Sequence, residues 1–298
     1  PSNVVRFVPS IPGYIYAHRG NDLFVNLFIG SETTVPLDAG EGKVRLETRY
    51  PWEGAVKFTV ESAKSGRFAL RVRLPGWARG EVAPGGLYRF LDNDKATPQL
   101  RVNGAPIEIK LENGYAVVDR EWKTGDTVQL DLPMPIRRVA ADERVVADRG
   151  RVAFVRGPLV YCFEGLDQGD PHVQSFVIDD ATAFETRHQT DLLGGVTTLI
   201  GKARVATRTL AGAATLGEPV DAVAIPYYSW ANGAKSPMSV WVARKPENAT
   251  PQPAPTIARR AKATASFTGE LDSISDQFEP AISGDPAHPY LHWWPRKG

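Results

Sequence analysis

The sequence predicts a mainly β protein built as two antiparallel, jelly-roll-like β-sandwiches with little helix. Three observations predict it. Apolar residues recur at every second position through most of residues 14–245, which is the period of a half-buried strand. The pairs Asn103-Gly104 and Asn113-Gly114 stand between short apolar runs, and Asn-Gly supplies the positive φ values of a tight hairpin turn. Helical spacing is confined to residues 2–10, where Pro9 and Pro12 stop it, because each lacks an amide donor and restricts its predecessor.

The elements follow in order. From Tyr14 the period is two, and Leu23, Val25, Leu27 and Ile29 alternate with Phe24, Asn26 and Phe28; apolar residues on both faces predict a central strand. Val44, Leu46, Thr48 and Tyr50 alternate with charged residues, as do Val56, Phe58 and Val60, with a turn at Pro51–Gly54 between them. Phe68, Leu70, Val72 and Leu74 repeat the pattern until Pro75-Gly76 ends it, and residues 79–97 read as a loop. A meander follows through Leu100, Val102, Ile107, Ile109, Leu111, Tyr115 and Val117. Val128, Leu130 and Leu132 close the first sandwich, and Pro133 and Pro135 mark a joint near Met134. The second sandwich draws on shorter runs at Val145, residues 151–155, 159–163, 176–178, 196–200, 203–209, 220–226 and 238–243. Residues 246–262 are Pro- and Ala-rich and read as a linker; residues 263–298 are too few for a core of their own.

Composition narrows the function. Lys and Arg number 35 against 34 Asp and Glu, for a net charge of +1, and the basic residues are spread along the chain, which removes the electrostatic reason for a nucleic-acid partner. No run nears the roughly 18 consecutive apolar residues of a membrane-spanning helix, so no membrane partner is expected. Cys162 is the one cysteine; it permits no intrachain disulfide and no multi-cysteine zinc cage.

Candidate chemistry is sparse. Glycoside hydrolysis usually takes two carboxyl groups about 5 to 9.5 Å apart, but Glu47, Glu61 and Asp131 fall in the polar phase of strands and read as solvated. Cys162 and Glu164 are a sharper pair, since i, i+2 spacing on a strand puts both on one side, about 6 to 7 Å apart. The plainer reading is that Cys162, among Leu159, Val160, Tyr161 and Phe163, is a small buried hydrophobe. The histidines 18, 172, 188, 288 and 292 share no metal-ligand spacing except His288 and His292, and Pro289 disfavours the helix that pair would need. Tyr227-Tyr228-Ser229-Trp230 and His292-Trp293-Trp294 offer rings for stacking on sugars, with Trp230 and Trp294 the candidate contacts, although strand alternation would turn one ring of each neighbouring pair into the core.

Ordered strings carry more than composition does. Pro1 to Arg6, Gly13-Tyr14-Ile15-Tyr16-Ala17, Leu23 to Ile29, Tyr115 to Trp122 with Gly125-Asp126, Val155 to Glu164 and Ile225 to Asn232 resemble, in this order, the C-terminal half of glycoside hydrolase family 127, the β-L-arabinofuranosidase type. The resemblance covers about residues 1–245, with weaker likeness to a C-terminal extension over 263–298. It implies an (α/α)6 barrel ahead of β-sandwich domains, and a retaining mechanism in which a zinc-bound cysteine attacks the anomeric carbon while a glutamate protonates the leaving group.

In the family pattern a Cys-Cys pair directly precedes the string that here is Pro1-Ser2-Asn3, and the other zinc ligands and the acid lie further upstream. The resemblance therefore implies no catalytic or metal residue in this chain. It implies a remnant of the last barrel helix at 1–13, sandwiches at 14–132 and 133–245, and a non-catalytic β segment. Its partners would be an upstream barrel of the same chain and the parent's carbohydrate substrate, and its zinc would lie in that barrel. Two other readings stay open: a carbohydrate-binding module using Trp230 or Trp294, and an independent carboxylate glycosidase built on Glu164.

Overall fold

The computed structural model describes residues 2–252 apart from 39, 64–65, 93, 95, 169–172, 210 and 233–235. About half the chain is strand, helix is scarce, and the sheets are largely antiparallel. The described part opens with helix α1 (Ser2–Phe7) and a 3-10 segment over Val8–Tyr14. Pro9 and Pro12 fall in the 3-10 segment, where the α-helix gives way. No helix among the described residues is long and apolar enough to cross a membrane.

The contacts divide the chain into two compact units, residues 1–161 with 188–197, and residues 162–187 with 198–298. In the first unit the strands are β1 (Tyr16–Arg19), β2 (Asp22–Val25), β3 (Ser31–Leu37), β4 (Gly40–Thr48), β5 (Ala55–Ala63), β6 (Arg67–Arg73), β7 (Tyr88–Phe90), β8 (Gln99–Val102), β9 (Ala105–Ile107), β10 (Leu111–Glu112), β11 (Tyr115–Glu121), β12 (Thr127–Asp131), β13 (Ile136–Ala141) and β14 (Arg151–Arg156). One sheet runs β1-β2-β6-β11-β10 and a second β3-β4-β5-β12-β8-β9, while β7, β13 and β14 pair in the order β7-β13-β14 apart from both. Every pair is antiparallel except β2 with β6.

The alternation is what lets these sheets close on each other. Leu23, Leu70, Val72 and Val118 from one sheet and Val44, Leu46, Phe58, Leu100 and Leu130 from the other form a single buried cluster. Arg67, Arg71 and Arg73 occupy the opposite phase, where Arg67 meets Asp119 at 3.1 Å, Arg71 meets Asp22 at 2.9 Å and Arg73 is exposed. Trp122 closes one end of the cluster: its ring stacks on Phe68 at 5.4 Å and its N–H donates to the Phe68 carbonyl at 2.8 Å. Both Asn-Gly turns take the expected form, with φ of 51° and 79° at Asn103-Gly104 and 49° and 84° at Asn113-Gly114.

Several expectations need correction. The strand predicted over 23–29 stops at Val25, because the chain there leaves one sheet to begin β3 in the other; Phe28 enters the core while Ile29 faces out. Strand β3 lacks the apolar alternation of a strand, since it begins Ser-Glu-Thr-Thr and holds Pro36. It is an edge strand, where a missing amide donor costs no ladder bond. The 79–97 loop contains β7, which pairs with β13 through Phe90 and Val139. Val145 lies in no strand and is followed by a 3-10 turn over Val146–Asp148.

Strand β17 (Glu185–Gln189) pairs with β18 (Val196–Arg208), and in the second unit the stretch of β18 from Leu199 onward forms a long hairpin with β19 (Ala214–Pro226), with an irregularity between Arg204 and Ala206. The sequence read β18 as two strands because Gly201-Lys202 interrupts its apolar run. Strand β16 (Phe176–Val177) pairs with β18 on one side and, in parallel, with β21 (Val242–Ala243) on the other. Strand β15 (Leu159–Glu164) pairs through Phe163 with β20 (Met238–Ser239). Residues 246–252, read as the start of a linker, are ordered against this unit. Gln252 exchanges backbone hydrogen bonds with Ala206 and Arg208 at 2.8 and 2.7 Å, and Ala249 packs on Val177, Ala206 and Ala243. Backbone pairing holds them where their apolar content would not. Residues 253–298, and with them Trp294, His288 and His292, lie outside the described residues, as does His172.

Candidate functional site

Cys162 and Glu164 do share the end of one strand. The burial alternation fails there, however, and Tyr161, Cys162, Phe163 and Glu164 are all covered. Cys162 is fully buried; burial first, and then the charges of Glu164 and Asp167, push its thiol up to about 12. A nucleophile must be a thiolate and must be reached, and Cys162 is neither ionised near neutral pH nor accessible.

Glu164 is 5% exposed. Its carboxyl is pushed above the usual carboxylate range by burial and by Asp167, against a backbone hydrogen bond at Ala231 that favours the charged form. One of its oxygens has no hydrogen-bond partner among the described residues. The backbone around it is tied down: Gly165 N–H donates to the Pro237 carbonyl at 2.9 Å, and Gln168 bridges the Glu164 carbonyl and both backbone groups of Val223. Glu164 is thus a buried group in a fixed frame, closed to a glycosidic oxygen.

Trp230 sits differently from the expectation. Residues 227–229 form a 3-10 turn after β19, so strand alternation ends at Pro226 and no ring is driven inward. Tyr227, Tyr228 and Trp230 are all exposed, and the Tyr227 and Trp230 rings lie nearly parallel, 8° apart, with centroids 6.3 Å apart.

The structure also assembles a cleft in the first unit that the sequence did not announce. Pro75 ends β6, a 3-10 turn over Gly76–Arg79 reverses the chain, and Gly80 at φ 83° closes it in the left-handed region that favours glycine. Glu81 N–H then donates to the Gly76 carbonyl at 2.9 Å. This turn holds Trp77, Arg79 and Glu81 over Phe28, Tyr50 and Arg73. The sequence signal is Pro-Gly-Trp straight after an alternating strand, which marks a strand ending and carries no sign of the cleft.

Comparison with known proteins settles the lineage. The family model described as the β-L-arabinofuranosidase, GH127 middle domain matches residues 22–134, and that of the glycoside hydrolase family 127 C-terminal domain matches residues 136–243. The chain belongs to glycoside hydrolase family 127.

A non-reducing end β-L-arabinofuranosidase of Bifidobacterium longum is 33% identical over 263 residues, covering 82% of this chain and 36% of that protein. Among solved structures, a GH127 β-arabinofuranosidase superposes with a TM-score of 0.79 at 35% identity, covering 86% of this chain and 39% of its own. The Geobacillus stearothermophilus T6 GH127 β-L-arabinofuranosidase gives 0.72 at 33%, covering 82% and 37%. The chain therefore spans somewhat more than a third of the length of these family 127 relatives. The zinc and cysteine nucleophile implied by the resemblance do not fit the residues described here: Cys162 is a buried neutral thiol, and no group of three His, Cys, Asp or Glu side chains among the described residues is placed to hold a metal ion.

Proposed function

We propose that this chain is the β-sandwich portion of a β-L-arabinofuranosidase-type glycoside hydrolase, and that it does not itself perform the chemistry. The supporting observation is the state of Cys162 and Glu164. The thiol and the carboxyl with the best sequence case for catalysis are both buried and both biased toward their neutral forms. In this reading a barrel preceding Pro1 supplies nucleophile, acid and zinc, and the sandwiches pack on it. The test is turnover of an aryl β-L-arabinofuranoside. The purified chain is expected to be inactive, and a protein extended upstream through the barrel is expected to hydrolyse it. Turnover by the chain alone, lost in Glu164→Gln, would make it an independent carboxylate glycosidase.

The exposed, parallel Tyr227 and Trp230 rings favour a second reading, in which the chain also contacts carbohydrate. Its signature is affinity for arabinose oligosaccharides that Trp230→Ala abolishes.

A further inference from the structure

The cleft under the Gly76–Arg79 turn has the composition of a ligand site. Its volume is about 480 Å³, within the range of small-molecule pockets. Three aromatic residues form its wall. Phe28 is buried beneath, Tyr50 meets it edge to face at 5.3 Å, and Trp77 lies half-buried alongside. The Trp77 indole N–H is shielded from solvent and directed at the Tyr50 hydroxyl.

Charge on the rim is uneven. Arg79 and Glu81 compensate each other at 3.2 Å. Arg73 projects from the end of β6 on the exposed side, acts on the Tyr50 hydroxyl through its charge, and has no ion pair with any carboxylate among the described residues. Its neighbours on the same strand do have such partners: Arg71 lies between Asp22 and Glu112 at 2.9 and 2.8 Å, and Arg67 meets Asp119. The cleft therefore combines aromatic faces with one uncompensated guanidinium. Aromatic rings take the C–H face of a sugar, and a guanidinium fork takes a carboxylate bidentately.

We propose that this cleft is a saccharide-binding site selective for sugars that carry a carboxylate, a uronate-containing oligosaccharide, with the sugar ring against Tyr50 and Trp77 and the carboxylate on Arg73. The saccharide class rests on the family 127 reading of the chain; the preference for an acidic sugar rests on the cleft.

Calorimetric titration of the whole chain tests it. The probes are a galacturonate trisaccharide and a neutral galactose trisaccharide, each at low and high salt. The acidic sugar is expected to bind about tenfold more tightly, in keeping with one charge-assisted contact, and to lose that advantage in high salt. Arg73→Gln should bring its affinity down to that of the neutral sugar. Arg73 is exposed on a strand, so the substitution leaves the core intact, and an unchanged circular dichroism spectrum checks this. Trp77→Leu, which removes one of the two aromatic faces, should weaken both sugars while leaving the acidic preference. Equal affinity for the two sugars, no binding of either at millimolar concentration, or an acidic preference that survives Arg73→Gln overturns the proposal. Hydrolysis of the arabinofuranoside by the extended protein is scored separately, so the cleft and the family reading fail by different results.

Discussion

At the scale of single residues, Glu164 links burial to pH. A carboxyl withdrawn from water with an incomplete set of hydrogen bonds prefers its proton, and burial followed by Asp167 raises the Glu164 value in the folded state. Between the ordinary carboxylate value and that raised one, the folded chain holds more protons than the unfolded chain. Stability therefore falls as pH rises through the window, and is level above it. Hydrogen-bonded carboxylates work in the opposite sense: Asp126 is held low by the Lys123 backbone N–H and by Asn103, and Asp142 by Arg144. The informative quantity is thus a difference. Melting curves of the parent chain and Glu164→Gln across the acid range should diverge, the parent losing stability relative to the variant as pH rises. Parallel curves would show that Glu164 ionises freely in the fold.

At the scale of elements, two glycines separate steric from conformational demand. Gly54 ends the turn between β4 and β5, and a Cβ placed there would lie 1.8 Å from the Leu132 carbonyl oxygen. Leu132 N–H also donates to the Gly54 carbonyl at 3.0 Å, so the two backbones are clasped and neither can give way. Gly80 has open space around its missing Cβ but sits at φ 83°. Left-handed strain alone costs about 1–2 kcal/mol, whereas a backbone clash in a packed region costs about 2 kcal/mol or more. Gly54→Ala should therefore destabilise more than Gly80→Ala in urea titrations, and the reverse order would mean that the clasp opens easily. Asn103 has both demands on it. Beyond its positive φ, its amide donates to Asp126 at 2.8 Å and its oxygen accepts from Thr127 N–H at 2.8 Å, which pins the β8–β9 turn to the start of β12.

At the scale of the whole molecule, the opening segment carries the docking expectation. Val4, Val5, Phe7, Val8 and Tyr14 are each more than half exposed, and α1 has no buried residue. A six-residue helix has no stability of its own in water, so these side chains suit a face that another domain covers. Phe28 is not part of such a face. Phe28 lies in the core, and Phe24 is enclosed by Tyr115 at 5.3 Å and by the guanidinium groups of Arg19 and Arg71 at 5.8 and 5.7 Å. Domain interfaces cover about 600–1,500 Å², more than the few hundred Å² of apolar patch a monomer usually tolerates. The isolated chain should bind a hydrophobic dye or self-associate in light scattering. Adding the separately expressed barrel should suppress this and raise the barrel's melting temperature, because a partner that binds only the folded state shifts unfolding. A monomeric, dye-silent chain that leaves the barrel's melting temperature unchanged would mark the β portion as autonomous.

What the sequence determined by itself was whatever depends on near neighbours. Period-two alternation placed β4, β5, β6, β11 and β12 and their buried faces, because a strand's side chains alternate whatever lies beyond them. Asn-Gly placed the two turns through local φ preference, and ordered strings from Pro1 to Asn232 identified the family. Tertiary structure alone decided the rest. Pro36 is permitted because β3 lies at an edge; Tyr227, Tyr228 and Trp230 stay outside because a 3-10 turn interrupts the alternation; residues 246–252 are held by backbone pairing rather than apolar content. The Arg73 cleft joins Phe28, Tyr50, Arg73 and Trp77, which are brought together only when two sheets and one turn close. No local pattern encodes that closeness, since it depends on which distant strands pair and on where the paired sheets leave a gap.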